Sequence, residues 1–232
     1  MIDHAPLSNP AYTALLGPHA RMAQRSGNAL RYPADVSPFA GLPAAPAPDD
    51  WAGLAELTGP GGVAATAGVP ADPPDGWRVL RVIGAVQLTG DGITGTPDSE
   101  AVRLGPDDVP DMLNLAARTQ PGPFLERTIE FGGYLGIRRG SALIAMAGER
   151  LRPPGWTEIS AVCTDPSYRG QGLARRLTLA VAAAIRSRGD TPFLHVMASN
   201  VNAIRLYESL DFQFRRTAQF VVVQAPRQAP DG

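Results

Sequence analysis

The chain has 232 residues, of which 44% are hydrophobic, so it is long enough for one packed domain with an appendage or for two small domains. Its formal net charge of −1 excludes a general polyanion binder, and we expect no nucleic-acid partner. A single cysteine, Cys163, excludes an internal disulfide and a cysteine-cluster metal site, and His4, His19 and His195 lack ligand spacing, so we predict no metal.

No apolar stretch reaches the length that a membrane-spanning helix needs. The longest covers 177–185, and Thr178 interrupts it. The first residues lack the charged start and the apolar stretch of a signal peptide. The sequence therefore predicts a cytoplasmic protein with no membrane partner.

Residues 1–95 read as an N-terminal extension with α+β content and an uncertain fold. Closely spaced prolines after Tyr32, without apolar periodicity, are typical of loops. The expected elements are a short helix within 10–23, a helix that carries Trp51, Leu54 and Leu57 at helical spacing, and strands at 63–67 and 77–88. A stretch rich in Gly, Asp, Thr and Pro at 91–100 marks a boundary.

The pattern becomes more regular from residue 101. The expected elements are a strand at 101–104, a helix capped by Asp107 or Asp108, a short helix at 124–131, and strands at 134–138 and 143–149 around an Arg139-Gly140 turn. A further strand begins near Thr157. Strands joined by turns and followed by a strand-helix-strand unit predict a mixed sheet.

Residues 158–212 contain that strand-helix-strand unit. A strand at 159–162 leads into the loop Arg169-Gly170-Gln171-Gly172-Leu173-Ala174, which opens directly into a helix with one apolar face. The remaining expected elements are a strand at 193–197, a helix capped by Ser199 or Asn200, closing strands at 212–214 and 220–223, and a flexible tail at 226–232. A helix N-terminus behind a glycine-containing loop is an anion site, because its free N–H groups point outward.

Two kinds of glycine loop fit this context. A dinucleotide-binding loop needs Gly-x-Gly-x-x-Gly, but Arg175 occupies the third glycine position, and Asp190 precedes the second strand instead of ending it. A nicotinamide-dependent oxidoreductase is therefore the weaker alternative. The loop does satisfy the pattern Arg/Gln-x-x-Gly-x-Gly/Ala from Arg169 to Ala174.

With that pattern, the segment resembles the coenzyme A-binding core of the GNAT superfamily of N-acetyltransferases. The run Pro-x-x-Arg-Gly-x-Gly at 166–172 and the run Asn-x-x-Ala-x-x-Leu-Tyr-x-x-Leu-x-Phe at 200–212 carry the resemblance, which looks closest to the glycine N-acyltransferase-like branch. It covers about 101–225. It implies an α/β fold with a GNAT-like mixed central sheet flanked by helices at 101–225, behind the extension at 1–95. A degenerate half-copy of the same fold is one interpretation of that extension.

The resemblance implies acetyl-CoA as co-substrate and N-acetyl transfer to a small-molecule or peptide amine. It also implies that the loop wraps the pyrophosphate, that Gly170 and Gly172 allow close approach, and that the pantetheine pairs with the preceding strand beside a bulge. The implied coenzyme A contacts are Val162, Cys163, Thr164, Arg169, Gly170, Gln171, Gly172, Leu173, Ala174, Arg175 and Asn200.

Acyl transfer to an amine requires a base for the amine and an acid for the departing thiolate. The resemblance implies Glu158 as the base, with Glu149 as its rival, and Tyr207 as the acid. Alternatively, Glu158 is an exposed strand-end carboxylate and Tyr207 a core aromatic. A chain with the loop but without a working acid and base would be a non-catalytic CoA-binding module, and the presence of both residues favours the enzyme. The extension at 1–95 would shape the acceptor pocket or a homodimer contact.

Overall fold

The computed structural model describes residues 2–69 and 72–227. Its strands are β1 (Gln24–Ser26), β2 (Ala29–Arg31), β3 (Phe39–Gly41), β4 (Val63–Ala67), β5 (Arg78–Thr89), β6 (Val102–Leu104), β7 (Tyr134–Arg139), β8 (Ala142–Glu149), β9 (Trp156–Thr164), β10 (Thr191–Met197) and β11 (Gln213–Gln224). Its α-helices are α1 (Pro10–Leu16), α2 (Pro48–Thr58), α3 (Val109–Thr119), α4 (Leu173–Ser187) and α5 (Val201–Glu208).

The strands form one sheet in the order β1-β2-β3-β4-β11-β5-β10-β9-β8-β7-β6. The neighbours β9 and β10 are parallel, as are β3 and β4, and the other neighbouring strands are antiparallel. The predicted α/β fold class with a mixed sheet flanked by helices is therefore confirmed.

One strand of the N-terminal extension lies in the middle of this sheet. β5 pairs with β10 on one side and with β11 on the other, and Thr89 is opposite both Phe193 and Gln213. Residues 1–95 and 101–225 consequently share backbone hydrogen bonds along the full length of β5. The boundary between them stays a prediction.

Helices α4 and α5 cover one face of the sheet. Leu177, Val181 and Ile185 recur one helical turn apart on α4 and are buried against Leu88 and Leu194. Full burial of each of these side chains contributes about 1.5–3 kcal/mol to folding. The long α4 is thereby fixed on the sheet, and its N-terminus lies at the end of β9.

The N-terminal segment covers the other face. Because successive strand residues point to opposite faces, Phe193 lies away from the α4 side, where Leu194 lies. Leu7, Leu15 and Tyr32 pack against Phe193 and Trp156, and the Trp156 indole Nε1 donates a hydrogen bond to the Asp3 carbonyl at 2.9 Å. The extension therefore forms part of the core around β9 and β10.

Three expected elements differ from the structure. The predicted closing strands at 212–214 and 220–223 form one strand, β11, because a bulge between Phe214 and Arg216 lets pairing with β5 continue. The segment after Tyr32 includes the short β3. The helix expected at 124–131 is only a 3-10 turn at Thr128–Phe131, and the Thr128 hydroxyl holds the preceding loop by accepting from Leu125 N. The predicted flexible tail lies outside the described residues from 228 onward.

Among the described residues, no helix combines the length and the apolar character that crossing a bilayer requires.

Candidate active site

A bulge interrupts β9 near its C-terminal end. The register with β8 shifts between the pairs Cys163–Met146 and Ser160–Gly148, so that two residues of β9 oppose one residue of β8. Ala161 adopts a left-handed backbone with φ of 52°. Such a conformation costs a non-glycine residue about 1–2 kcal/mol, so the packing around β9 must hold the bulge in place.

Just before the bulge, β9 separates from its parallel neighbour β10. Their pairing runs only from Trp156–Thr191 to Glu158–Phe193, although β9 continues to Thr164. No described strand pairs with the remainder of β9 on the β10 side. The strand therefore offers an open edge to an extended ligand.

The loop after β9 leads from this open edge to the start of α4. The Asp165 carboxylate accepts a hydrogen bond from Ser167 N at 2.9 Å and fixes the turn. Gly170 and Gly172 have φ values of 79° and 73°, in the left-handed region that favours glycine. The first hydrogen bond of α4 is from Arg176 N to Gly172 O.

The backbone N–H groups from Gly170 to Arg175 donate to no acceptor among the described residues. They combine with the positive end of the α4 dipole to form an anion site. Arg169 and Arg175 are exposed, and neither makes an ion pair within the described part of the chain. Arg176, by contrast, is committed to Asp98 at 2.7 Å and holds the 91–100 segment against α4.

The remaining predicted coenzyme A contacts divide between the two sheet faces. Val162 packs on the α4 side, whereas the Cys163 side chain packs toward α3. Burial raises the pKa of Cys163 to about 11, so its thiol is a poor nucleophile. Thr164 Oγ1 is buried without a hydrogen-bond partner among the described residues, and Asn200 Oδ1 caps α5 by accepting from Ala203 N at 3.1 Å.

Tyr207 lies on α5 and faces the core below the open edge. Its side chain is 8% exposed, and its hydroxyl makes no hydrogen bond to any described residue. Burial, together with the nearby Cys163 thiol, raises the pKa of Tyr207 to about 12. The phenol is therefore protonated at neutral pH and has a free proton to donate.

The surroundings of Glu158 do not suit a catalytic base. Its side chain is fully buried and accepts two hydrogen bonds from Arg150, Nη2 at 2.7 Å and Nε at 2.9 Å, and one from His195 Nδ1 at 2.6 Å. Burial opposes ionisation, but Arg150 and His195 outweigh it and lower the pKa of Glu158 to about 2. The alternative of an exposed strand-end carboxylate is wrong.

The Glu158 network extends across four neighbouring strands, β9, β10, β5 and β11. His195 Nε2 lies 2.9 Å from Gln87 Nε2, and Gln87 Oε1 accepts from Arg215 Nη1 at 2.6 Å. Since the Gln87 amide nitrogen can only donate, His195 accepts through Nε2 and donates through Nδ1. The roles of Gln87 and Arg215 had no sequence signal because these contacts join residues that are remote in the chain, and the role of Arg150 had none because the turn between β8 and β9 sets its contact with Glu158.

Glu149, the rival base, lies away from the loop. It ends β8 beside the C-terminal end of α4, and its Oε2 is 2.8 Å from Arg188 Nη2. The glycine-bearing loop is at the opposite end of the same helix. The structure therefore does not bring Glu149 together with Tyr207.

Comparisons with known proteins bear on this site. The family model of FR47-like proteins matches residues 134–221. A crystal structure of a protein assigned to the GNAT family of acetyltransferases, from Novosphingobium aromaticivorans, is 43% identical with a TM-score of 0.87, over 95% of this chain and 98% of that chain.

Two curated relatives match over shorter segments. A mycothiol acetyltransferase of Thermobispora bispora is 54% identical over 56 residues, which are 24% of this chain and 19% of the relative. The N-alpha-acetyltransferase RimI of Mycobacterium tuberculosis is 37% identical over 83 residues, 34% of this chain and 51% of the relative. The chain thus spans about half or less of their length.

These names give no support to the glycine N-acyltransferase-like branch. The similarity to the Novosphingobium protein extends over almost the whole of both chains, including the N-terminal extension. The chain belongs to the GNAT family of acetyltransferases.

Proposed function

We propose that this protein transfers an acetyl group from acetyl-CoA to a primary amine of a small molecule or peptide. The observation that carries the proposal is the open edge of β9, which begins after Glu158 and ends at a loop with free N–H groups. An extended, pyrophosphate-bearing molecule fits both features at once. Family membership is consistent with this chemistry.

Acetyl-CoA would occupy the loop and the strand edge. The N–H groups from Gly170 to Arg175 would bind the pyrophosphate, and Arg169 would add positive charge. The pantetheine amides would hydrogen-bond to β9 at Val162 and Thr164, near the unpartnered Thr164 hydroxyl. A dinucleotide would use the loop but not the strand edge.

The transfer forms a C–N bond and breaks the thioester C–S bond. A backbone N–H near the Ala161 bulge would stabilise the developing oxyanion, an effect worth roughly 3–4 kcal/mol in other enzymes. The amine would attack as the neutral free base. Tyr207 would donate its phenolic proton to the departing thiolate, and the proton that the nitrogen loses on forming the amide would return to the Tyr207 phenolate, so that the products are the amide and the free thiol. The free hydroxyl of Tyr207 favours this enzyme over the alternative of a non-catalytic CoA-binding module.

For Glu158 we propose a positioning role. Accepting a proton from an ammonium group of pKa about 10 would be strongly uphill for a carboxylate whose pKa is about 2. Glu158 instead joins β8, β9 and β10 where the two parallel strands begin to separate. The width of the cleft would then depend on this residue.

Calorimetric titration with acetyl-CoA, with NADH as the control ligand, tests the binding part of the proposal. We expect saturable binding of acetyl-CoA and none of NADH; the reverse pattern would support the oxidoreductase. Thiol release in the presence of an amine panel then tests transfer. Binding without thiol release from any amine would favour the non-catalytic module.

The acceptor panel should begin with peptide N-terminal amines and small thiol-bearing amines, and for the latter mass spectrometry of the acetylated product replaces thiol release as the readout. The motivation is that the matched relatives are named as an N-alpha-acetyltransferase and a mycothiol acetyltransferase.

Association of two copies is a further prediction. Sedimentation equilibrium measures it, and a monomer mass at all concentrations would exclude it.

A further inference from the structure

A cavity of about 420 Å³ opens where β7 begins and β8 ends, beside the C-terminal half of α4. It is unusually rich in charge for its size. The charged residues in its wall are Arg21, Arg103, Arg152, Arg188, Glu130 and Glu149. Four guanidinium groups against two carboxylates leave the wall with a net positive charge.

This cavity is separate from the proposed acetyl-CoA site. Val181, the wall residue of α4 nearest to the loop, is nine residues after Gly172. At 1.5 Å per residue, the two positions are about 14 Å apart along the helix. A small ligand in the cavity therefore has no contact with the glycine-bearing loop.

Two of the four arginines already have carboxylate partners. Arg152 Nε is 2.7 Å from Asp190 Oδ2, and Arg188 Nη2 is 2.8 Å from Glu149 Oε2. The Glu149 side chain is only 5% exposed. These ion pairs hold the side chains of the wall in place. Because Asp190 and Glu149 neutralise Arg152 and Arg188, the two pairs attract an anionic ligand only weakly.

Arg21 and Arg103 supply the uncompensated charge. Both are exposed, and neither makes an ion pair with a described residue. The neighbouring His19 is affected by this positive charge. Its pKa is lowered to about 4, mainly by burial and further by Arg152 and Arg21. Arg21 belongs to the N-terminal segment and Arg103 to β6, so one ligand would contact both parts of the chain.

Two glycines in the cavity wall, Gly132 and Gly133, lie beside Glu149. A Cβ atom on Gly132 would overlap the Glu149 carboxylate, so a larger residue there would displace that carboxylate from the wall. The cavity volume falls in the range of small-molecule sites and exceeds what a single inorganic ion would fill.

We propose that this cavity binds a small organic polyanion, a molecule with two or more carboxylate or phosphate groups. Each free guanidinium group can make a bidentate contact with one such group, which a single-charge ligand could not satisfy at both arginines. The bound ligand links the N-terminal segment to the edge strand β6 and stabilises their contact.

Calorimetric titrations of the full chain with citrate and with fructose 1,6-bisphosphate test the proposal, at ionic strength matched with sodium chloride. We expect saturable binding of at least one of them. The variant R21Q/R103Q should bind it at least tenfold more weakly, with an unchanged melting temperature. R81Q, which alters an exposed arginine outside the cavity, should bind as the wild type does.

Acetate and inorganic phosphate serve as single-group probes. If inorganic phosphate binds as tightly as the bisphosphate, the cavity is a simple ion site and the proposal is overturned. Absence of saturable heat with both polyanions, or equal binding by R21Q/R103Q and the wild type, also overturns it. Binding of citrate alone assigns carboxylates, and binding of the bisphosphate alone assigns phosphates.

Discussion

His195 and Glu158 are joined by a 2.6 Å hydrogen bond that crosses the opening between β10 and β9. Glu158 is opposite Phe193 in the last residue pair of the two strands, and His195 lies two residues further along β10. The bond therefore lies where backbone pairing has ended. Arg150 completes the group by a bidentate contact from the end of β8.

The first prediction concerns this buried group. Glu158→Gln leaves Arg150 as an uncompensated buried charge and should lower the free energy of unfolding by about 3–5 kcal/mol. Arg150→Met together with Glu158→Gln removes the charge and should recover a large part of that loss. Urea unfolding measures both, with the exposed Glu126→Gln as control.

Turnover of the double variant separates positioning from catalysis. If Glu158 only holds the strands, the double variant should keep turnover within tenfold of the wild type. A base would be recognised by a loss of about 10²–10⁴-fold in a variant that still folds and binds acetyl-CoA.

His19 should make stability depend on pH. Its ring is buried beside Tyr32 and Arg21, and its pKa is lowered from 6.5 to about 4. The folded state therefore binds fewer protons than the unfolded state between these values. The contribution of His19 to the free energy of unfolding is fully present above pH 6.5 and is lost as the pH falls towards 4. It amounts to roughly 3 kcal/mol.

His19→Asn tests this window, because the amide can keep a hydrogen bond to the Tyr32 hydroxyl without titrating. Urea unfolding from pH 8 to pH 5 should show a smaller decline for the variant. Measurement stops at pH 5 because the contribution of Glu158 is lost below 4.5. Parallel curves for wild type and variant would assign the decline to other groups.

Local patterns in the sequence predicted much of this fold. Apolar spacing indicated α4, and the glycine pattern indicated the loop at its start, because both signals lie within a few residues. The left-handed Ala161 could not be identified from its residue type, since alanine has no preference for that conformation. Its position was available only through the resemblance, as a bulge beside the pantetheine.

No local sequence pattern indicated which residues on different strands become hydrogen-bond partners. His195 and Gln87 are 108 residues apart, and Arg150 follows the end of β8, across a turn from Glu158 on β9. Period-two alternation indicates that Glu158 lies on one face of β9 but not what covers that face. The N-terminal segment covers it, and this coverage makes the carboxylate a buried ion-pair partner.

Tyr207→Phe should reduce turnover by about 10²-fold while acetyl-CoA binding is retained. The change removes the only proton donor proposed for the thiolate and keeps the ring that packs at Phe212. Steady-state rates measure the loss of turnover, and calorimetry measures whether acetyl-CoA still binds. Tyr12→Phe is the matched control. Equal rates for the variant and the wild type would exclude Tyr207 as the acid.

Gly172→Ala should weaken acetyl-CoA binding about tenfold. The added Cβ meets no protein atom within 4 Å, so the effect comes from strain at a φ of 73° and from crowding of the phosphate. Gly105→Ala is the control, because Gly105 has a φ of −124° and equally open surroundings. Equal losses of affinity in the two variants would exclude a role for the left-handed loop.

Deletion of residues 1–95 should abolish folding of the remainder. The deletion removes β4 and β5, the two neighbours of β11, so that β11 is left unpaired on both edges and β10 on one, and it exposes Phe193 and Trp156. Circular dichroism and solubility measure the outcome. A soluble 96–232 fragment with native melting would establish the boundary as one between independent domains.

Co-expression of 1–95 with 96–232 gives the complementary measurement. If β5 acts through its pairing, the two fragments should assemble, because the hydrogen bonds of β5 to β10 and β11 do not require a continuous chain at 95–96. The assembled complex should bind acetyl-CoA, whereas 96–232 alone should not. Failure to assemble, with each fragment soluble, would show that a continuous chain at 95–96 is required, since the ion pair of Asp98 and Arg176 is kept within 96–232.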